Sequence, residues 1–396
     1  MQRNRVSLAA LCEGRAGNNF DFLRLCLALL VIVSHSWLLI GRNSSDPMML
    51  ATHGQMDSGA VAVNAFFIIS GFLIAQSWTR SSGWRDFLAR RVLRIYPGFL
   101  MAAALSALVF APMIEPDPGA YWRSFDPSRY LLGLLELRMR TPETVGVNGS
   151  LWTVRYEFLC YLGIMGLGIM RTLPRRGWIL GVLVATMAAL GAQEIFGLRV
   201  DDQRAGWVLG YFVRLSRLSS NFLAGTVLFL YRDRVVLSAR GTWLAASAFA
   251  AMAVQPWVRV LPAAFPLVGG YLVLTIAYLP VRWMHDWARR CDLSYGIYLY
   301  GYPIQQVVIQ VLGGWWETGR SSLSPVVVFA ASVPPVVLAA AASWWLVESP
   351  TMRVRRALAQ RFQRLGGSSA ERTQGLRREA LATGKPERAE TAISRR

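Results

Sequence analysis

The chain has few of the residues on which most soluble catalytic and metal sites depend. It carries three histidines and four cysteines in 396 residues, and only 16% of its residues are charged. The cysteines are scattered, with no Cys-x-x-Cys pair or zinc-ligand spacing, so neither a disulfide framework nor a metal site is expected. The sequence also has no His-Glu-x-x-His motif and no P-loop. These absences exclude the common metalloproteases and nucleotide-driven pumps.

What the chain has instead is long apolar stretches. Hydrophobic residues make up 54% of it, and its charged fraction is well below the ~25% of soluble domains. The third and seventh of these stretches, at about 98–114 and 241–256, are short or flanked by proline, which makes them candidates for re-entrant segments. The pattern predicts an all-α fold, a polytopic membrane helical bundle of about ten transmembrane helices. The predicted segments lie at about 20–41, 59–78, 98–114, 150–170, 177–195, 210–231, 241–256, 262–281, 294–313 and 325–347.

Arginines are concentrated in alternate links between these segments. One set of links is rich in arginine, as in 80–94, 171–176 and 232–240, and the other set is poor in arginine or balanced by acids. The positive-inside rule makes the basic set cytoplasmic, and an even number of spans then places both termini in the cytoplasm. The net charge of +19 reflects this topology and attraction to anionic lipid, so no nucleic-acid partner is expected.

The same patterns predict three regions. Residues 1–19 form a cytoplasmic N-terminal segment, and 20–350 form the transmembrane domain. Residues 351–396 form a basic, largely disordered cytoplasmic tail, because their composition offers too little apolar surface to offset the cost of ordering. The arginines from Arg353 to Arg364 are expected to lie on the anionic inner leaflet and to carry no chemistry.

The first apolar segment contains two ionisable residues on one face. Arg24 and His35 are eleven residues apart, which at about 100° per residue returns the side chain to within roughly 20° of its starting direction. The rise is about 16 Å, so Arg24 lies near one membrane surface and His35 well inside. Ionisable groups at such depth indicate a functional site. The alternative is a snorkelling arginine and a core histidine bonded to a neighbouring carbonyl.

Several ordered blocks of sequence resemble the acyltransferase 3 family, the integral membrane O-acyltransferases that modify surface glycans and other exported molecules. The resemblance covers residues 19–352, and one departure is Gly301-Tyr302-Pro303, where the family often has His-Phe-Pro. The matching blocks are FDFLRLCLALLVIVSHSW with its Arg24-x10-His35 pair, GAVAVNAFFIISGFLIAQS, FLARRVLRIYPGF, NGSLWTVRYEFLCY, FLAGTVLFLY, DLSYGIYLYGYPI and WWLVESP.

The resemblance implies transfer of an acyl group, most simply acetyl, from acyl-CoA to a hydroxyl of a surface or exported glycan. The expected partners are the glycan or lipid-linked glycan acceptor and membrane lipid, and the location that the resemblance implies is the bacterial inner membrane. Acyl-CoA is then a co-substrate, and no permanently bound cofactor is expected.

Two residues are candidates for the chemistry of such a transfer. A neutral imidazole at His35 suits removal of a hydroxyl proton near pH 7. Glu157 lies at a similar depth, counted from the outer ends of the two segments, and is expected to orient the imidazole. The alternative is that Glu157 pairs with neighbouring Arg155 or is bonded to a tyrosine.

Acyl-donor binding is expected at the inner surface. Arg90, Arg91 and Arg94 cluster on one helix face, and arginine forks fit phosphate oxygens. Arg24 would help to hold the coenzyme while its slim arm runs inward. The alternative is that these arginines only set topology.

Other residues are expected at the outer mouth, where a sugar would dock. They are Asn148, Ser150 and Trp152, with Arg214 and Arg217 as further candidates, although a tryptophan at the membrane interface is also expected on general grounds. The small-residue block from Gly59 to Ser77 is interpreted as close helix packing.

A second class of function stays open from the sequence alone, a secondary transporter or flippase without chemistry. Such proteins often show two related halves, and no internal repeat is evident here.

Overall fold

The computed structural model describes residues 6–13, 17–138, 146–196, 212–287, 292–313 and 322–355. Within these residues almost all regular structure is helical, and a two-residue strand pair, Val6–Ser7 with Val236–Leu237, is the only sheet. The helices are α1 (Leu8–Glu13), α2 (Phe20–Leu38), α3 (Pro47–Ala51), α4 (Ser58–Thr79), α5 (Trp84–Leu105), α6 (Ala111–Ile114), α7 (Pro118–Ser124), α8 (Pro127–Leu135), α9 (Trp152–Ile169), α10 (Arg176–Phe196), α11 (Phe212–Leu230), α12 (Ala239–Ala253), α13 (Leu261–Ala277), α14 (Arg282–Trp287), α15 (Ser294–Gly313) and α16 (Pro325–Ser343).

Each of the ten predicted segments coincides with one of the longer helices, so the all-α, membrane-type fold is confirmed. Five described helices are long and apolar enough to cross a membrane, and the count of about ten spans stays a prediction. Those five are Phe20–Leu38, Ser58–Thr79, Trp84–Ile114, Arg176–Phe196 and Pro325–Arg355.

The third segment differs from its prediction in where it begins. Helix α5 starts at Trp84, rather than near 98, and runs through a π turn at Ser106–Phe110 into α6. The helix continues through the basic stretch because Asp86, one turn before Arg90, pairs with that arginine inside the helix. The arginine cluster and the third apolar segment therefore share one rigid element.

The first segment is anchored at its inner end, which is the end predicted to be cytoplasmic. The side-chain amide of Asn19 donates to the carbonyl oxygens of Ile276 and Leu279, at 3.0 and 2.9 Å. These bonds fix the start of α2 against the end of α13. A single continuous helix then carries both Arg24 and His35, as their spacing predicted.

The small-residue block of α4 packs directly on α11. A Cβ atom added at Gly71 would overlap the backbone carbonyl of Phe222, and one added at Gly225 would overlap the carbonyl of Ile68. Two glycines thus let the two backbones touch, which is how small residues act in membrane bundles. The predicted packing role of this block is confirmed at Gly71.

We expect Gly71→Ala to destabilise the bundle, because the new methyl group meets backbone that cannot move aside. Overpacking of this kind costs about 1–3 kcal/mol. Thermal unfolding of the detergent-purified variant should show a lower midpoint than that of the parent protein. The membranes should also contain less of the variant. The matched control is Gly163→Ala, since a Cβ at Gly163 meets nothing within 4 Å. Equal midpoints for the two variants would contradict the close α4–α11 contact.

Candidate active site

A cavity of about 550 Å³ lies among α2, α4, α5, α9, α15 and the end of α16. Its wall combines arginines, carboxylates and tyrosines with apolar side chains. The sequence-predicted residues Arg24, Arg91, Arg94 and Glu157 all line it, and Arg90 and His35 do not. The ionisable and aromatic members of the wall include Asp21, Arg24, Arg91, Arg94, Glu157, Tyr161, Asp292, Tyr295, Tyr298, Trp344 and Arg355.

Glu157 is held by two hydroxyl groups. Ser70 Oγ donates to Glu157 Oε1 at 2.9 Å, and the hydroxyl of Tyr161, one turn further along α9, donates to the same oxygen. The sequence alternative of a tyrosine partner is therefore realised. A bond between Glu157 and His35 is not among the hydrogen bonds of the described residues, and the predicted orienting role stays a prediction.

The three clustered arginines have different surroundings. Arg90 makes a two-pronged contact with Asp86, both distances being 2.7 Å, and Asp86 is buried. Because its fork is filled by this carboxylate and its side chain lies outside the cavity wall, Arg90 is placed away from the predicted donor site. Its position is that of a structural ion pair within α5.

Arg94 joins three helices. Its Nη2 lies 2.6 Å from Asp292 Oδ2, just before α15, and its Nη1 lies 3.5 Å from Glu348 Oε2, beyond α16. Arg94 lines the cavity, but two carboxylates already share its charge. It ties α5 to the segment just before α15 and to the π turn that follows α16.

Arg91 is the arginine of the cluster that faces the cavity without a carboxylate partner in the described part of the chain. Its Nη2 donates to Ser77 Oγ at 3.1 Å. Its guanidinium lies over the rings of Phe87 and Tyr161, 5.7 and 5.9 Å from their centroids. Arg24 also lines the cavity, and its ion pair among the described residues is a long contact of 3.8 Å with the exposed Asp21. Of the four arginines predicted to bind the donor, these two are therefore the least neutralised by carboxylates in the described part of the chain.

His35 lies further out along α2 and is half-buried. Its ring meets Tyr302 of α15 edge to face, with centroids 4.9 Å apart. Its Nδ1 is buried, and among the described residues it has no hydrogen-bond partner. The sequence left open a core histidine bonded to a neighbouring carbonyl. Among the described residues, Nδ1 makes no such bond.

The ring of Tyr302 packs closely against a glycine. A Cβ at Gly149, in the turn before α9, would lie 2.7 Å from two ring atoms of Tyr302. The absence of a side chain at Gly149 lets Tyr302 stand against His35. The departure Gly301-Tyr302-Pro303 therefore lies directly beside the histidine of the Arg24-x10-His35 pair.

The residues predicted at the outer mouth differ in how deeply they are buried. Asn148 is buried, and its Nδ2 donates to Ser106 Oγ and to the carbonyl of Leu299, both at 3.0 Å. Ser150 is also buried, and its Oγ lacks a partner among the described residues. Trp152 is half-buried, with the Arg214 guanidinium 5.1 Å from its ring centroid. Asn148 thus supports the fold, and Trp152 remains accessible to a ligand.

Several residues of the cavity wall were not predicted from the sequence. Tyr161 follows Glu157 by four residues, so helical spacing alone signals that pair. Asp292 had no such signal, because its contact with Arg94 joins segments far apart in the chain. Arg355 lies beyond the last predicted span, where no part of the site was expected.

Comparison with known proteins assigns the family. Residues 18–345 match the acyltransferase domain of the acyltransferase 3 family. The chain therefore belongs to that family of membrane acyltransferases, as its sequence blocks predicted. No solved structure matches it.

Two relatives are similar over most of their length. The chain is 29% identical to an O-acetyl transferase of Shigella phage Sf6, over 74% of this chain and 86% of that protein. It is 28% identical to nodulation protein 10 of Rhizobium leguminosarum bv. viciae, over 87% of this chain and 95% of that protein. A shorter match, 30% identical over 30% of this chain and 32% of the relative, joins it to the acyltransferase MdmB of Streptomyces mycarofaciens.

Proposed function

We propose that this protein is a membrane O-acyltransferase that moves an acetyl group from cytoplasmic acetyl-CoA to a hydroxyl of a surface or exported glycan, such as O-antigen or exopolysaccharide. The observation that carries the proposal is one cavity in which Arg24, Arg91 and Glu157 meet, at the inner end of the helix that leads to His35. The O-acetyl transferase name of the Shigella phage relative supports acetyl as the group transferred.

The donor binds through its phosphates at Arg91 and Arg24. A phosphate group cannot enter an apolar bundle without a paired charge, and these are the two predicted cations least neutralised by protein carboxylates. Arg90 and Arg94 act indirectly, since they hold α5 in place through Asp86, Asp292 and Glu348. The thioester end of the donor then extends outward along α2.

His35 acts as the general base. The acceptor hydroxyl oxygen attacks the thioester carbonyl carbon while neutral His35 takes the hydroxyl proton. The C–O bond forms, the C–S bond breaks, and the proton passes from His35 to the leaving thiolate, which departs as CoA thiol. Because Nδ1 is buried, Nε2 is the nitrogen that reaches the reacting hydroxyl.

Glu157 positions the donor site. Its bond to the hydroxyl of Tyr161 fixes the ring that lies beneath Arg91. The carboxylate, the phenol and the guanidinium thus form a chain from α9 to α5. A direct action of Glu157 on His35 would need a rearrangement when substrates bind.

The experiment that tests this function measures CoA release. Detergent-purified protein is incubated with acetyl-CoA, a thiol reagent and glycan from the producing strain, and the glycan is then weighed by mass spectrometry. We expect acceptor-dependent CoA release and a glycan mass gain of one acetyl group. A transporter or flippase, the alternative function, would release no CoA.

We also expect Tyr302 to position His35. Gly149→Ala should push the Tyr302 ring toward the imidazole and lower the transfer rate by about tenfold or more, since small displacements of catalytic groups are costly. Gly146→Ala is the matched control, because a Cβ there meets nothing within 4 Å. Tyr302→Phe keeps the ring contact and should stay within about threefold of the parent rate. Full activity of Gly149→Ala at normal protein level would contradict this role.

A further inference from the structure

The chain beyond the last predicted span does not leave the bundle at once. Helix α16 continues through a π turn at Trp344–Glu348 and stays helical to Arg355. From the sequence, the arginines from Arg353 to Arg364 are expected to lie on the anionic inner leaflet and to carry no chemistry. Instead Met352 and Arg355 line the same cavity as Arg24 and Arg91.

One face of this extension is turned toward the site. Trp344, Glu348, Met352 and Arg355 follow one another at spacings of four, four and three, which places them on one side of a helix. Trp344 and Glu348 are buried, and Glu348 contacts Arg94. Arg353 falls outside this series and is exposed. The π turn, a feature often found at functional sites, determines which residues of the extension face the cavity.

Among the described residues that line the cavity, Arg355 is the last cation along the chain, and the predicted topology places it on the cytoplasmic side. It follows Glu348, the partner of Arg94, by seven residues, which is about 10 Å along a helix axis. Its Nη2 lies 3.8 Å from Met352 Sδ, so the side chain folds back along the helix. A donor that enters the cavity with its thioester end first keeps its nucleotide end at the level of Arg355. The nucleotide end of CoA carries the phosphate on the ribose, and a planar arginine fork fits such a group.

We propose that Arg355 binds the ribose 3′-phosphate of the donor and makes the protein selective for CoA thioesters over thioesters that lack this phosphate. This inference rests on the proposed function. It assigns a donor-binding role to the segment that follows the last apolar helix.

The test compares two donors, acetyl-CoA and acetyl-dephospho-CoA, on three full-length proteins. These are the parent, Arg355→Gln and Arg353→Gln, the last being the matched control on the exposed side of the same turn. We expect Arg355→Gln to raise KM for acetyl-CoA by about tenfold or more, the effect of one lost charge-assisted hydrogen bond. Its KM for acetyl-dephospho-CoA should stay within about twofold of the parent value.

Two results would overturn the inference. Arg355→Gln and Arg353→Gln with the same KM for acetyl-CoA would show that Arg355 does not bind the donor, which is also the result expected if it serves an anionic lipid. An equal rise of KM for both donors would remove the 3′-phosphate as its ligand. A parent protein that releases no CoA from either donor would instead overturn the proposed function.

Discussion

His35→Ala should lower acetyl transfer by about 10²–10⁴-fold, the range typical of a lost general base. The folded protein should survive the change, because His35 Nδ1 has no hydrogen-bond partner among the described residues and the main loss is the ring contact with Tyr302. The measurement is single-turnover transfer from labelled acetyl-CoA to glycan, normalised to the amount of monodisperse protein.

The matched control for this variant is His53→Asn. His53 is exposed in the loop before α4 and has a left-handed backbone with φ 48°, which asparagine tolerates. We expect His53→Asn to keep the parent rate. A well-folded His35→Ala protein with more than about a tenth of the parent rate would remove His35 from the proton transfer.

Arg91→Gln should raise KM for acetyl-CoA by about 10- to 100-fold and change kcat less, because the phosphates are remote from the bond that breaks. Arg91 has no carboxylate partner in the described part of the chain, so its charge is free to meet a donor phosphate. Arg91→Lys should recover only part of the affinity, since lysine lacks the planar fork. Initial rates over a range of acetyl-CoA concentrations measure both constants.

Two other arginines of the same helix serve as controls for Arg91. Arg85 is exposed beside Trp84, and Arg85→Gln should leave KM unchanged. Arg90→Gln should lower the amount of folded protein, because it leaves the buried Asp86 without its partner, while the protein that folds keeps the parent KM. If Arg91→Gln has the parent KM, or if Arg90→Gln raises KM as much, the donor site has been assigned to the wrong residues.

The long apolar runs made the helices predictable, because their length and period are local properties of the sequence. The alignment of Arg24 with His35 was predictable for the same reason, since both lie on one uninterrupted helix. The small-residue block was also correctly interpreted, as the contact between Gly71 and Phe222 demonstrates.

The partners of the arginines were not predictable, because they depend on tertiary contacts. Arg90 and Arg94 look alike in sequence, yet one contacts a carboxylate a single turn away and the other contacts Asp292 and Glu348 from distant helices. The hydrogen bonds of Asn148, which is predicted at the outer mouth, to Ser106 and to the carbonyl of Leu299 were likewise not predictable. Such differences appear only when the helices are packed.

The tail beyond Arg355, where the sequence predicts disorder, lies outside the described residues, as do Arg3, Arg5 and Arg15 of the N-terminal segment. The predicted cytoplasmic position of both termini therefore rests on the charge pattern of the links.

In the proposed mechanism, a donor bound from the cytoplasmic side passes its acetyl group outward along α2. Membrane vesicles of the two orientations distinguish this route from its reverse, because acetyl-CoA does not cross the bilayer. Labelled acetyl-CoA is added outside sealed inverted and sealed right-side-out vesicles that contain the protein, and label in glycan is counted. We expect transfer in the inverted vesicles and none in the right-side-out vesicles. Inverted vesicles with His35→Ala or Arg91→Gln should lose the transfer at subsaturating donor. Equal labelling in both orientations, or labelling in the right-side-out vesicles alone, would contradict this route.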